Sequence, residues 1–217
     1  MTSVSDPGYI KATFNETVAF LYASDMSGNI LGYDLIEIRL HAPTEHTIES
    51  QSYAVEVQMF FMLRTEFMPN SIQKAAISLL FKESSDKQVA IPLLTMLSNA
   101  STLVSQNVTD MIKTVLPSPL SYFTYLGSDT VPNCDESMIW YVVETPIEIS
   151  NSQVTTFNAI YKANSSFASG AGNNRAVQSL NNRVIKKGGV QCEEQFIYFF
   201  SFVLLYAFIN YFIFKLL

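Results

Sequence analysis

Residues 196–214, FIYFFSFVLLYAFINYFIF, run for nineteen positions without a charge, and Asn210 is the one strongly polar side chain among them. As a helix rising about 1.5 Å per residue, this run is roughly 28 Å long, close to the hydrocarbon thickness of a bilayer. Glu193 and Glu194 stand before it and Lys215 after it. The run is therefore expected to be a transmembrane helix occupying residues 191–217. Phe196, Tyr206 and Phe214 would meet lipid or the interface, and Asn210 would need a hydrogen-bond partner or a place near the interface. A cleaved lipid-anchor signal, with Gly188 and Gly189 as the small-residue site, is the competing interpretation.

That assignment leaves residues 1–190 as one domain, long enough to bury a core. Net charge is −6 and the pI is near 4.9. Nucleic-acid binding is not expected, because no basic patch or stripe is visible. The longest basic run is Lys186-Lys187, expected to be a solvated turn. Cys134 and Cys192 make neither a disulfide framework nor a CxxC motif, although one bridge between them is conceivable. Residues 1–9 lack the basic-then-apolar pattern of a signal peptide. Sequons at Asn15, Asn99, Asn107 and Asn164 are expected by chance in a chain rich in Asn and Ser.

Hydrophobic alternation marks the domain as mainly β. Residues 35–41 alternate, with Ile36, Ile38 and Leu40 expected on one face and Glu37, Arg39 and His41 on the other. Residues 53–62 form a second strand with Glu56, Gln58 and Phe60 on one face. The segment 42–52 carries Pro43 and turn-forming residues, so the two strands are expected to pair antiparallel. Further strands are expected at 77–81, 122–125 and 138–143. Helices are expected at 91–97, 104–115 and 152–161, the last with cap chemistry at its start. Residues 165–174 read as a small-residue loop.

Arg39 and His41, two apart on one strand, should converge with Gln58 on the next. Three ligands presented from a sheet floor in this way suit a tetrahedral zinc with a fourth place for water. The occupants here are wrong for it. A guanidinium is permanently cationic and cannot ligate zinc. The chain has only two histidines, His41 and His46, so three imidazoles are impossible.

Three segments carry a family resemblance. LIEIRLHAPTEHTIESQSYAVEVQ (35–58), LPSPLSYFTYLGSDTVPNCDESMIWYVVETPIEIS (116–150) and NNRAVQSLNNR (173–183) resemble, in the same order, signature segments of the α-carbonic anhydrases. The likeness spans roughly residues 15–183. It implies the mainly β α+β fold of that family, N-terminally shortened, to which the apolar run would add one C-terminal transmembrane helix. It places the three zinc-histidine positions at Arg39, His41 and Gln58, and the acid that orients the third histidine at Glu56. It places the catalytic threonine at Thr130 and the acid that holds it at Glu45. The apolar pocket residue before that threonine falls on Asp129, the pocket tryptophan on Trp140, and the proton-shuttle histidine near Thr17.

The resemblance therefore implies a catalytically dead relative. No metal or other cofactor is expected, and without a metal no water is activated near neutral pH. Glu45 and Thr130 are expected to be structural hydrogen-bonding groups, and His41 a hydrogen-bonded sheet histidine. Trp140 should be core. Arg39 should fill the zinc position and pair with Glu56 or Glu45. The expected role is a non-catalytic accessory subunit of a membrane complex, with other subunits and the bilayer as partners. A mitochondrial respiratory complex of the inner membrane is the favoured home. A cell-surface module binding glycan or protein is the alternative.

Overall fold

The strand signal around Arg39 extends further than its alternation. In a computed structural model of the chain, which describes residues 2–6, 9–14, 17–24, 30–64, 74–86, 90–98, 108–163 and 172–190, it belongs to a strand of twelve residues. In chain order the strands are β1 (Thr2–Asp6), β2 (Tyr9–Thr13), β3 (Phe20–Ser24), β4 (Ile30–His41), β5 (Val55–Leu63) and β6 (Lys74–Ser84). They continue with β7 (Leu120–Gly127), β8 (Met138–Val143), β9 (Ile147–Ser150) and β10 (Lys186–Val190). The helices are α1 (Pro92–Ser98), α2 (Val108–Val115) and α3 (Asn151–Lys162).

The ten strands of the described residues join one mixed sheet whose main path runs β1-β2-β4-β5-β6-β8-β7-β10, with β3 paired to β4 and β9 to β6 off that path. The long strand β4 serves two neighbours along one edge, β3 beside residues 30–34 and β2 beside residues 37–40. On its other edge it pairs antiparallel with β5, as the sequence leads one to expect, with Arg39 opposite Gln58 and His41 opposite Glu56. Strand β6 runs parallel to both β8 and β9. These parallel pairs make the sheet mixed.

The expected face pattern of β4 holds only in part. A β-bulge shifts the register between Leu35 and Glu37. An extra residue in one strand reverses which side the following side chains take. Leu35, Ile38 and Leu40 consequently share the main core, while Ile36 packs with Phe60, Ala76, Met138 and Trp140 in a smaller cluster on the other face. That second face is not a solvated one. Arg39, His41, Glu56 and Gln58 are all buried on it. Trp140 is 1% exposed, its Nε1 donating to the Ser128 carbonyl at 3.0 Å, as a core residue should.

The helices cover the main core. Leu93, Leu94 and Leu97 of α1 and Val154, Phe157 and Tyr161 of α3 are buried in it. Ser150 caps α3 by accepting from the Gln153 N–H. Gln153 then locks α3 to α1, accepting from Ile91 N at 2.9 Å and donating to Ile91 O at 3.1 Å. Such side-chain bonds satisfy backbone groups that helix ends leave open.

Lys186 and Lys187 are not a turn: they begin β10, which pairs antiparallel with β7 at the edge of the sheet. Isolated lysines on an edge strand are a common way of blunting it, so their polarity conceals a strand. Cys134 is free. Cys192, the four sequon asparagines, residues 104–107 of the second expected helix and the whole expected membrane helix lie outside the described residues. Among the described residues no helix is long and apolar enough to cross a membrane.

Candidate functional site

The site is built on paired rungs of β4 and β5, closed from above by the segment around Thr130 and from the side by the segment after Gly172. Because Arg39 faces Gln58 and His41 faces Glu56, four polar side chains stand on one patch of sheet. All are taken from water, so each needs a partner.

Glu56 is the best satisfied of them. Its Oε1 accepts from His46 Nδ1 at 2.6 Å, Gln58 Nε2 at 2.9 Å and Ser78 Oγ at 2.8 Å. Its Oε2 accepts from the backbone N–H groups of Glu45 at 2.7 Å and His46 at 2.9 Å. Burial alone would raise the carboxyl pKa. The charge and hydrogen bond of His46, the charge of His41 and the backbone donors outweigh it and hold Glu56 far below the usual carboxylate range. In His46 burial likewise opposes the charged form, but Glu56 outweighs it and the imidazole pKa is raised. His46 Nε2 lies 2.6 Å from the Tyr125 hydroxyl, and its ring centroid is 4.8 Å from that of Trp140. Burial, reinforced by the charge of Glu56, pushes the Tyr125 phenol well above its ordinary value.

Gln58 occupies the centre. Its Nε2 donates to both Glu45 Oε2 and Glu56 Oε1, each at 2.9 Å. Its Oε1 is the acceptor for Thr130 Oγ1 at 3.4 Å. One carboxamide thus separates two buried carboxylates and holds the threonine. An imidazole bound to a metal offers at most one N–H and could not bridge both acids. Glu45 also accepts from the Arg175 backbone N–H at 2.7 Å. Glu45 and Thr130 are therefore joined through Gln58. His41 Nδ1 lies 3.4 Å from Glu45 Oε1 and 3.4 Å from the Asn173 carbonyl.

Arg39 does not pair with Glu56 or Glu45, the partners expected from sequence. Its Nη1 donates to Asp129 Oδ1 at 2.6 Å and Nη2 to Asp129 Oδ2 at 3.4 Å, while Nε donates to Glu37. The guanidinium carbon sits 3.9 Å above the Phe60 ring. Glu37 and Phe60 form the rung next to Arg39 on the side away from His41, so the side chain leans out of the cluster. The physical reason is that Glu56 is already saturated by five donors. Burial opposes the Arg39 charge, yet the two carboxylates outweigh it and raise its pKa. In Asp129 burial pushes the carboxyl up, and Arg39 with the Val131 and Thr130 backbone N–H groups brings it below its ordinary value.

Sequence reasoning missed three contributors. His46 links Glu56 to Tyr125. Asn173 clamps the end of β4: its Nδ2 donates to the Leu40 carbonyl at 3.1 Å and its Oδ1 accepts from Ala42 N at 3.1 Å. Asp129 neutralises Arg39, and here a signal existed. An acid stood where the resemblance implies an apolar wall, and a lone cation stood at a ligand place. Beyond Glu45, His46 and Thr130 lies a half-open hollow of about 340 Å³, with Phe123, Tyr125 and Arg175 also on its wall.

The family described as eukaryotic-type carbonic anhydrase matches residues 10–188. Among curated relatives, carbonic anhydrase 4 of Mus musculus is 30% identical over 142 residues, covering 58% of this chain and 46% of the mouse protein. The chain thus spans about half the length of that relative. Among solved structures, the α-carbonic anhydrase of Thermovibrio ammonificans, in complex with the inhibitor sulfanilamide, superposes with a TM-score of 0.63 at 22% identity. That match covers 85% of this chain and 74% of the other. Dioscorin complexed with ascorbate superposes at 0.62, also at 22% identity, over 88% and 74%. At such identities these structures show a common fold.

Proposed function

We propose that this chain, which belongs to the eukaryotic-type carbonic anhydrase family, is a non-catalytic member of it: an accessory subunit held in a membrane complex by residues 196–214. The observation that carries this is the donor set at the three positions where zinc ligands are expected. One imidazole, His41, stands among an arginine bound to two carboxylates and an amide whose N–H groups are both spent on acids. These residues do not fit a three-imidazole zinc site. Zinc would have to displace the Gln58 bridge, and the side chain at position 39 offers it no lone pair. Glu45, Glu56, Gln58 and His46 are bound to one another, which favours rigidity over turnover.

The accessory role rests on the apolar run after residue 195 and on a fold retained around a site unsuited to its metal. An energy-transducing membrane complex such as a respiratory assembly is the proposed setting. The test has two arms. The chain purified in zinc-containing medium is expected to retain far less than one zinc and to leave carbon dioxide hydration at the background rate. About one zinc per chain, removed by chelator together with hydratase activity, refutes the non-catalytic reading. Extraction from native membranes in mild detergent is expected to bring down defined companion chains. Migration as a lone chain refutes the accessory role.

A further inference from the structure

Charge is not spread evenly along this chain. In a protein of net charge −6, residues 149–192 contain no Asp or Glu and carry Lys162, Arg175, Arg183, Lys186 and Lys187. The same stretch holds most of the exposed large apolar side chains among the described residues. Val177 is 64% exposed, Leu180 57%, Val184 69% and Ile185 44%, and outside the stretch only Ile30 and Leu126 are comparable. Apolar residues normally avoid such a position unless something covers them.

Part of this stretch shares a side of the molecule. Arg175, Val177, Leu180, Arg183 and Ile185 all border the same 340 Å³ hollow. The backbone presenting them is held in place. Arg183 N donates to the Leu180 carbonyl at 2.8 Å, and the Arg183 guanidinium donates to the carbonyls of Leu180 at 2.9 Å and Ser179 at 2.7 Å. Leu180 therefore stands outward on a turn that a cation braces. Lys187 pairs with Glu144 at 2.5 Å but stays well exposed. Arg175 has no carboxylate partner among the described residues, and Lys187 stands over the Phe123 ring on the wall of the hollow, whereas Lys186, opposite Thr124, faces the other side of the sheet. Glu49 also borders the hollow, and Glu45 beneath is bound by Gln58 and Arg175 N.

We infer that the face formed by residues 175–187 docks onto an anionic lipid surface, its cations among headgroups and its apolar side chains at the acyl boundary. The inference rests on the membrane anchoring proposed above. Strand β10 ends at Val190, six residues before the apolar run begins at Phe196. Fully extended, six residues reach about 20 Å, so an inserted run tethers this face beside the bilayer. Apolar side chains interleaved with Lys and Arg are what an interfacial surface requires. The attraction of basic residues to an anionic leaflet acts within a Debye length, about 8–10 Å at physiological salt.

The test uses the full chain in nanodiscs of phosphatidylcholine alone or with added phosphatidylserine. A nitroxide is placed at Leu180→Cys, with Cys134→Ser and Cys192→Ser, and its accessibility to a water-soluble nickel complex and to oxygen is read. Ile30→Cys, equally exposed but outside the basic stretch, is the control. The label at 180 is expected to lose roughly tenfold in nickel accessibility when phosphatidylserine is present, and to regain it in high salt. Combining Arg175→Gln with Lys187→Gln should abolish the lipid dependence, with position 30 unchanged throughout. Equal nickel accessibility in both lipids overturns the docking while leaving the anchor intact. Shielding that is the same in both lipids assigns the face to a protein or a second copy and also overturns it. A chain that never enters the discs overturns the anchor and this inference together.

Discussion

Replacing Arg39 by Met keeps most of the side-chain bulk over Phe60 and removes the charge. Two carboxylates, Glu37 and Asp129, then face the same small space with side chains 16% and 13% exposed and no cation between them. Breaking a buried pair by removing one partner costs about 3–5 kcal/mol, most of it the penalty of the stranded charge. Both acids keep some water contact, which places the expected loss near the lower end, about 3 kcal/mol. Adding Asp129→Asn should return much of it, with a coupling of about 1–3 kcal/mol in the double-mutant cycle. The dependence on pH sharpens the test. Asp129 is held below its ordinary 3.8, so in the parent chain it contributes stability above that value and loses it as pH falls through the depressed folded value. In Arg39→Met only the backbone donors oppose burial, so the carboxyl rises and protonates at higher pH. The deficit of the variant should be largest near neutrality and shrink as the solution is acidified through the carboxylate range. Unfolding can be followed by Trp140, the one tryptophan of the chain and 1% exposed. A coupling below about 0.5 kcal/mol, or a deficit that does not change with pH, would refute the pairing.

Two further outcomes follow from the same geometry. The raised His46 contributes stability that is complete below its unfolded pKa of 6.5 and lost as pH climbs through its folded value. The depressed Glu56 contributes stability that is complete above 4.5 and lost on acidification through its folded value. Stability from this pair should therefore peak between about pH 4.5 and 6.5. His46→Gln should flatten the decline on the alkaline side in pH-dependent melts, and an unchanged slope would place the titrating group elsewhere. Gly172 has a φ of +118°, and a Cβ there would stand 2.2 Å from the Ala42 carbonyl oxygen. Gly172→Ala should cost more than about 2 kcal/mol, because the conformation is strained and the obstacle is backbone. A melting temperature equal to that of the parent would show that the end of β4 gives way freely.

Much of the sheet was legible because its central strands carry their own period. The expected strand at 138–143 coincides with β8, and those at 53–62, 77–81 and 122–125 fall on β5, β6 and β7 with ends displaced by one to three residues. The edge strands were not legible. Strand β1 is short and β10 reads KKGGV, so pairing with a neighbour rather than side-chain alternation makes them strands, whereas the inner strand β2 does alternate, with Ile10 and Ala12 buried in the core. In the site, the family's motifs located Arg39, His41, Glu45, Glu56, Gln58 and Thr130 on one patch. They could not say which acid Arg39 would take. That depended on Glu56 being saturated by groups from three separate segments, a competition no local pattern records.

The bulge at Ile36 has a consequence for how such a site can change over time. Strand β4 is in effect two strands spliced at a slack joint. Its first part answers to β3 and its second part to β2, and the joint absorbs the mismatch in phase between them. Drift in length or register on the β3 side can end at the joint and need not propagate to the rungs that carry Arg39 and His41. The floor of the site can thus stay geometrically true while the periphery changes.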